Sequence, residues 1–194
     1  MFAEFTNVGY KQIPLDEQYE IRPEDYCHLG STIFIANPNA PTGKLLTLKQ
    51  IEKILQNNAE NVVVIDEAYI DFGGDSAVKL VDSYENLLVT QTFSKSRSLA
   101  GARLGYAIGN ASLIADLNKI RFSTNPYNVN RLSLLAGTAA VEDEAYFQSC
   151  CTAICENRAW TVEKLEELGF TVLPSQANFI FAKSDRISGG DLYR

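Results

Sequence analysis

Three short runs of apolar residues constrain the fold of this chain more than any other feature of its sequence. They lie at residues 32–36 (TIFIA), 62–65 (VVVI) and 87–93 (LLVTQTF). Runs of this length with little alternation are typical of strands that are covered on both faces, as in parallel sheets. Between the first two runs, residues 47–50 have the hydroxyl and the Gln of a capping box, followed by apolar residues at helical spacing. The pattern predicts an α/β fold, a three-layer, mostly parallel sheet with flanking helices.

The C-terminal third of the chain has a different pattern. Residues 129–168 have helical character, and we predict two helices that are interrupted near Asp143. The segments 170–173 and 178–182 predict two strands. The second strand alternates weakly, which is typical of a smaller sheet with one exposed face. We therefore expect a second unit of the α+β class in this part of the chain.

Three further segments affect the domain boundaries that we predict. Residues 10–15 predict a strand with no earlier element to pair with, which suggests that the native protein extends further at its N-terminus. Residues 112–122 predict an amphipathic helix. Residues 184–194 predict only the beginning of another helix. We therefore expect a large domain at residues 1–140, with its N-terminal part absent, and the truncated beginning of a small α+β C-terminal domain at 141–194.

Composition and charge exclude several classes of function. The chain has 194 residues, of which 46% are hydrophobic and 21% are charged, as in ordinary globular proteins. A net charge of -7 and a pI near 4.8 argue against nucleic acid or an anionic membrane as partner, since both favour a basic face. No apolar run approaches the ~20 residues that cross a bilayer, and the N-terminus does not read as a signal peptide. We expect a cytoplasmic enzyme.

The cysteines and the single histidine do not predict a metal site. Cys150, Cys151 and Cys155 cluster in a helical stretch, and Cys27 stands beside His28. A metal site would need more ligands at suitable spacing. We expect reduced cysteines that are partly buried as small hydrophobic residues, and no metal. One histidine also leaves little room for a Ser-His or Cys-His nucleophile.

A polar loop follows each of the three predicted strands. The loops lie at residues 37–43, 66–69 and 92–98. In parallel α/β sheets, ligands bind outside the carboxyl ends of the strands. Since all three loops begin at that edge, we expect them to converge on one ligand site.

The residues of these loops fit the needs of pyridoxal phosphate, an aldehyde cofactor. Lys95 supplies an amine that can form an imine with the aldehyde. Asp66 can hold the proton on the pyridine nitrogen, and Tyr69, three residues later, can donate to the phenolic oxygen. The phosphate dianion needs hydroxyls and a guanidinium, which three residues offer: Thr92, Ser94 and Arg103. Taken singly, each has an ordinary alternative: a solvated lysine, a helix-capping Asp, a surface arginine.

Five segments resemble a known enzyme family. The chain is similar to the fold-type I, aspartate-aminotransferase-like enzymes that depend on pyridoxal phosphate, and most closely to the histidinol-phosphate aminotransferases among them. The main segments are NPNAPTG at 37–43, VVVIDEAYIDF at 62–72 and TFSKSRSLAGARLGYAIG at 92–109. PYNVN at 126–130 and SQANFIF at 175–181 support the resemblance.

The resemblance implies a reaction, a set of roles and a partner. The reaction would be transamination between histidinol phosphate or imidazole acetol phosphate and glutamate or 2-oxoglutarate, in histidine biosynthesis. Lys95 would be catalytic, the other five residues above would bind the cofactor, and Tyr127 and Asn128 would face the active site or the interface of a homodimer. The alternatives are an aromatic aminotransferase, a threonine-phosphate decarboxylase, or a truncated chain that binds the cofactor without turnover.

Two departures from the family pattern affect these expectations. The family motif often reads NPNNPTG, and its second central Asn also bonds the phenolic oxygen of the cofactor. Here that residue is Ala40, so the bond would be missing or made by Tyr69 alone, and Asn39 could be structural. Relatives also carry an N-terminal phosphate-binding turn, a tyrosine that reaches the partner's cofactor, and a C-terminal arginine for the substrate carboxylate. These 194 residues contain neither segment, so we expect a central fragment of a longer chain.

Overall fold

A four-stranded sheet forms the centre of the structure, a computed structural model that describes residues 2–194. Its strands are β1 (Ile33–Ala36), β2 (Val63–Asp66), β3 (Leu87–Thr92) and β4 (Gly105–Gly109), in that order across the sheet. The first three strands are parallel, and β4 runs antiparallel to β3. The three apolar runs therefore form the three parallel strands, which confirms the predicted α/β class.

Helices and short turns surround this sheet. The helices are α1 (Phe2–Phe5), α2 (Leu48–Gln56), α3 (Ala111–Thr124), α4 (Arg131–Glu142), α5 (Glu144–Glu167) and α6 (Gly189–Tyr193). Single turns of 3-10 helix lie at Pro23–Tyr26, Ile70–Phe72, Ala77–Leu80 and Ala100–Ala102. No helix within residues 2–194 is both long enough and apolar enough to cross a membrane.

One face of the sheet carries the main core. Alternate residues of β1, β2 and β3 pack there against α2, whose Ile51, Ile54 and Leu55 are fully buried. Each such side chain contributes about 1.5–3 kcal/mol on leaving water. The predicted capping box begins α2: Gln50 N–H donates to Thr47 Oγ1, and the Thr47 N–H donates to the Gln50 side chain.

The opposite face of the sheet is more open. Phe34 of β1 is 75% exposed, and α3 buries none of its residues completely. The helix predicted at 112–122 is present as α3. The prediction that it buries an apolar face is wrong, since Ile120 and Phe122 are exposed. The predicted strand at 10–15 is also wrong, because those residues belong to no strand. A strand needs a hydrogen-bonded neighbour, which an apolar pattern does not supply.

The long helical region is divided at Asp143, as predicted. This residue ends α4, and its carboxylate accepts from the N–H of Tyr146 at the start of α5. Gly169, in the left-handed region at φ 84°, follows α5. The second sheet is much smaller than predicted: β5 (Thr171–Val172) pairs antiparallel with β6 (Ala182–Lys183). The division into domains at residue 140 stays a prediction.

Candidate active site

The ends of the parallel strands bring the three polar loops together. The N–H of Asn37, just past β1, donates to the carbonyl of Asp66 at the end of β2 over 2.8 Å. The N–H of Glu67 in turn donates to the carbonyl of Thr90 in β3 over 2.8 Å. Thr92, the last residue of β3, is in register with the first residue of β4. The loops at 37–43, 66–69 and 92–98 therefore begin side by side along one edge of the sheet.

Lys95 lies on a tight turn after β3. Thr92 Oγ1 accepts from the N–H of Ser94 over 3.1 Å, and the Lys95 carbonyl accepts from the N–H of Ser98 over 3.1 Å. The side chain of Phe93 is buried and ties the turn to the interior. The turn therefore presents a half-buried Lys95 at the strand end, as the sequence predicts.

Tyr69 lies directly against Lys95. The Lys95 Nζ is 5.1 Å from the centre of the Tyr69 ring, within the range of a cation–π contact. On another side, Phe179 meets the Tyr69 ring edge to face, with 4.9 Å between the ring centres. Phe179 is a residue that our sequence reasoning missed as a neighbour of the site. A single sequence has no signal for a contact between segments so far apart.

Asp66 and Arg103 lie at the same edge without touching each other. Asp66 is exposed, and its carboxylate accepts from Thr90 Oγ1 over 3.3 Å. Arg103 has left-handed backbone at φ 52°, and its guanidinium donates to the carbonyl of Ala100 over 3.1 Å. The following residue, Leu104, accepts with its carbonyl from the N–H of Phe93 over 3.1 Å. Arg103 is therefore held by the backbone next to the Lys95 turn.

Several polar groups of these residues are not used within the protein. In the described part of the chain, the Lys95 ammonium, the Tyr69 hydroxyl and the Ser94 hydroxyl have no hydrogen-bond or ion-pair partner. The carboxylate of Asp66 accepts only the long bond from Thr90, and Arg103 uses one of its donors on Ala100. An amine, a phenol, a carboxylate, the Ser94 hydroxyl and a guanidinium are thus available at one edge of the sheet.

The loop at 37–43 is built by its own side chains. Asn37 is completely buried, and its amide both donates to and accepts from the backbone of Leu46, over 3.2 and 2.7 Å. Asn39 accepts from the hydroxyl of Thr42 over 2.8 Å, which confirms a structural use of Asn39. Ala40 is exposed and has no polar atom in its side chain, so it offers no hydrogen bond to a ligand.

The segment at 175–179 covers this loop. The N–H of Gln176 donates to the carbonyl of Gly43 over 2.8 Å. Gly43 has φ 75°, and a Cβ there would lie 2.2 Å from Ser175 Oγ. From α5, Arg158 donates to the carbonyls of Phe72 and Ala177 over 3.2 and 2.6 Å. These contacts fix the segment that carries Phe179 against the loops that follow β1 and β2.

A buried carboxylate next to Asp66 is a second feature that we missed. Glu67 is 2% exposed and accepts from Ser76 Oγ, the Ala77 N–H and Gln91 Nε2 over 2.6, 2.6 and 2.8 Å. Burial raises the pKa of Glu67, the three donors lower it, and the net direction is upward. A second carboxylate directly after Asp66, just past the apolar run at 62–65, was the signal available in the sequence.

The cysteines behave as the sequence predicts. All four are free, and Cys151 is buried beside Phe72 and Phe147. Burial raises the pKa of the Cys151 thiol to about 11, so it is uncharged near neutral pH and a poor nucleophile. Within residues 2–194, no group of three or more His, Cys, Asp or Glu side chains could hold a metal ion.

Comparison with known proteins decides the family. The model of the family "Aminotransferase class I and II" matches residues 10–184. The chain belongs to this family. The histidinol-phosphate aminotransferase of Brachyspira hyodysenteriae is 52% identical over 194 residues, which cover 100% of this chain and 55% of that protein. The chain thus spans about half the length of the curated relatives that it matches.

Solved structures of the family agree with the fold. The crystal structure of the histidinol-phosphate aminotransferase from Clostridium acetobutylicum matches with a TM-score of 0.90 and 31% identity, covering 98% of this chain and 60% of that one. The enzyme from Sinorhizobium meliloti, solved in complex with pyridoxal-5'-phosphate, matches with a TM-score of 0.73 and 26% identity, covering 79% and 42%. The sheet and its flanking helices are therefore those of this family.

Proposed function

We propose that the protein is a pyridoxal-phosphate-dependent aminotransferase of histidine biosynthesis. It would exchange an amino group between histidinol phosphate or imidazole acetol phosphate and glutamate or 2-oxoglutarate, in the cytoplasm. The substrate class is supported by the names of relatives that are about half identical over the whole chain. The observation that carries the proposal is the Lys95 amine, which has no ionic partner in the described chain and lies against Tyr69 at the sheet edge.

The residues at this edge fit the cofactor group by group. Its aldehyde matches the Lys95 amine, its pyridine nitrogen matches Asp66, and its phenolic oxygen matches the Tyr69 hydroxyl. Its phosphate matches a set of hydroxyl and guanidinium groups: Thr92, Ser94 and Arg103. The free hydrogen-bonding capacity of the Lys95, Tyr69, Ser94 and Arg103 side chains in the described chain supports this assignment. The Thr92 hydroxyl donates to the Leu104 carbonyl over a long 3.4 Å and would have to exchange that bond for the phosphate.

Pyridoxal phosphate, when bound, supplies an aldehyde for the amine and a ring that withdraws electrons from the substrate's α-carbon. Lys95 would hold the cofactor covalently and, once released by the substrate amine, would carry the proton at Nζ to and from the α-carbon. The carboxylate of Asp66 would keep the pyridine nitrogen protonated. The edge contact of Phe179 restricts the orientation of the Tyr69 ring.

The helix α4 supports the proposal of a homodimer. The residues that it buries in this chain are small: Ser133 and Gly137. Its apolar side chains point to solvent instead, and Leu132 is 78% exposed, with Leu134 and Leu135 also exposed. A helix with small residues inside and leucines outside has its apolar surface placed for another protein surface. We infer that a second copy of the chain covers it.

Turnover tests the proposed substrate. We expect the protein with pyridoxal phosphate to convert histidinol phosphate in the presence of 2-oxoglutarate, and to prefer it over aromatic amino acids. Lys95→Ala is expected to abolish turnover, while Lys49→Ala, which changes an exposed lysine of α2, should leave it unchanged. Turnover with aromatic substrates alone, or decarboxylation of threonine phosphate, would refute the substrate; equal activity of Lys95→Ala would refute the site.

A further inference from the structure

The turn that carries Lys95 is joined to the segment that carries Tyr69 by one side-chain hydrogen bond. Ser96 follows Lys95 directly, is 3% exposed, and donates from its hydroxyl to the carboxylate of Asp71. Asp71 lies two residues after Tyr69, in the 3-10 turn Ile70–Phe72. The bond therefore links the neighbour of the lysine to the turn that begins at the tyrosine.

The far side of the Lys95 turn is held independently. The guanidinium of Arg97 donates to the carbonyl of Ala140 over 2.6 Å and lies 3.7 Å from the centre of the Phe147 ring. It also pairs with Glu144 over 3.6 Å. These contacts fix the turn to the junction of α4 and α5. Phe147 packs in one buried cluster with Phe72 of the Tyr69 turn, and Tyr69 borders that cluster, so these contacts reach the Tyr69 turn only through apolar packing.

We propose that Asp71 and Ser96 are positioning residues that hold the Lys95 amine against the Tyr69 ring. The inference rests on the proposed role of Lys95 in holding the cofactor. Ser96 has no other side-chain partner in the described chain, and its burial keeps water from replacing Asp71 at the hydroxyl. Without the bond, the turn keeps its Arg97 contacts, but the separation of the lysine and the tyrosine then depends on apolar packing alone.

The test measures Lys95 in the protein without cofactor. Trace acetylation followed by mass spectrometry compares the labelling of Lys95 with that of Lys49, an exposed lysine on α2. We expect Ser96→Ala and Asp71→Ala each to raise the relative labelling of Lys95 at least about tenfold, the lower end of the factor that one hydrogen bond to a charged group gives. The double variant should equal either single one, because both remove the same bond.

Matched variants separate the hydrogen bond from general disturbance. Asp75→Ala removes a carboxylate from the same loop that contacts only Lys79, and Ser83→Ala removes an exposed hydroxyl; neither should change Lys95 labelling. Asp71→Asn keeps an acceptor oxygen and should stay within about twofold of the wild type. Unchanged labelling in Ser96→Ala, or additive effects in the double variant, would overturn the proposal.

A second measurement uses the cofactor. With pyridoxal phosphate, the pH midpoint of the Lys95-dependent visible absorbance should shift in Ser96→Ala and Asp71→Ala and stay in place in Asp75→Ala. A midpoint that is the same in all variants would count against positioning. A wild-type protein with no Lys95-dependent absorbance would refute the proposed function, while the labelling experiment would still decide the Asp71–Ser96 proposal by itself.

Discussion

The buried carboxylate of Glu67 allows a quantitative prediction about the sheet edge. Its three donors, Ser76, Ala77 and Gln91, come from the loop after β2 and from β3. Removing the carboxylate with Glu67→Ala leaves these donors buried without their acceptor. Hydrogen bonds to charged groups are each worth about 1.5–3 kcal/mol, partly offset by the cost of burying the charge. We expect a net loss of about 3 kcal/mol in the free energy of unfolding at neutral pH.

Glu67→Gln should cost much less, about 1 kcal/mol. The new amide can donate to Gln91 if the Gln91 amide turns over, and the hydroxyl of Tyr106, now 2.5 Å from the Gln91 oxygen, can then accept. Urea denaturation of both variants measures these losses in the free energy of unfolding, and the slope of that free energy against urea concentration should not change. Glu60→Ala, a change at an exposed carboxylate, should stay within about 0.5 kcal/mol of the wild type.

The pH dependence follows from the direction of the pKa shift. Burial raises the pKa of Glu67 above its ordinary 4.5, so the folded state holds the proton more tightly than the unfolded state. This contribution is fully present below pH 4.5 and is lost as pH rises through the folded-state pKa. The stability of Glu67→Gln relative to the wild type should therefore increase as pH rises through the folded-state pKa of Glu67. A difference that does not vary with pH, or a Glu67→Ala loss below about 1 kcal/mol, would refute the reasoning.

Two further predictions concern the contacts of the 175–179 segment and the exposed helix α4. In urea denaturation, Gly43→Ala should lower the free energy of unfolding by at least about 1 kcal/mol more than Gly30→Ala. Both glycines have left-handed φ, but only a Cβ at Gly43 meets Ser175. Equal losses would contradict the docking of the 175–179 segment. Leu132→Lys should shift the protein from dimer to monomer in analytical ultracentrifugation, while Leu168→Lys, at an exposed leucine past α5, should not; an unchanged dimer would refute α4 as the interface.

The sequence predicts the sheet well because strand patterns and loop polarity are local. Each apolar run becomes a parallel strand within one or two residues, and the capping box at Thr47 and the break at Asp143 are where the residue types require them. The order of the strands then brings Asp66 and the Lys95 turn to one edge. These parts of the candidate site follow from short-range preferences and from the topology of parallel sheets.

Contacts between distant segments were not predictable in this way. The packing of Phe179 on Tyr69, the bond from Ser96 to Asp71 and the carbonyl contacts of Arg158 depend on three-dimensional placement. The amphipathic pattern of α3 predicted a buried face, but a helical pattern does not show whether another element covers that face. The charge of Glu67, close behind the apolar run at 62–65, could have been recognised as a candidate buried carboxylate, since such residues are buried only with partners.

The most direct test of the account is to locate the cofactor on the chain. The protein is mixed with pyridoxal phosphate, reduced with borohydride and digested, and the modified peptide is sequenced by mass spectrometry. We expect one cofactor on Lys95, none in Lys95→Ala, and an unchanged result in Lys49→Ala. Specific modification of another lysine, or equal labelling of Lys95→Ala and the wild type, would contradict the claim that Lys95 holds the cofactor.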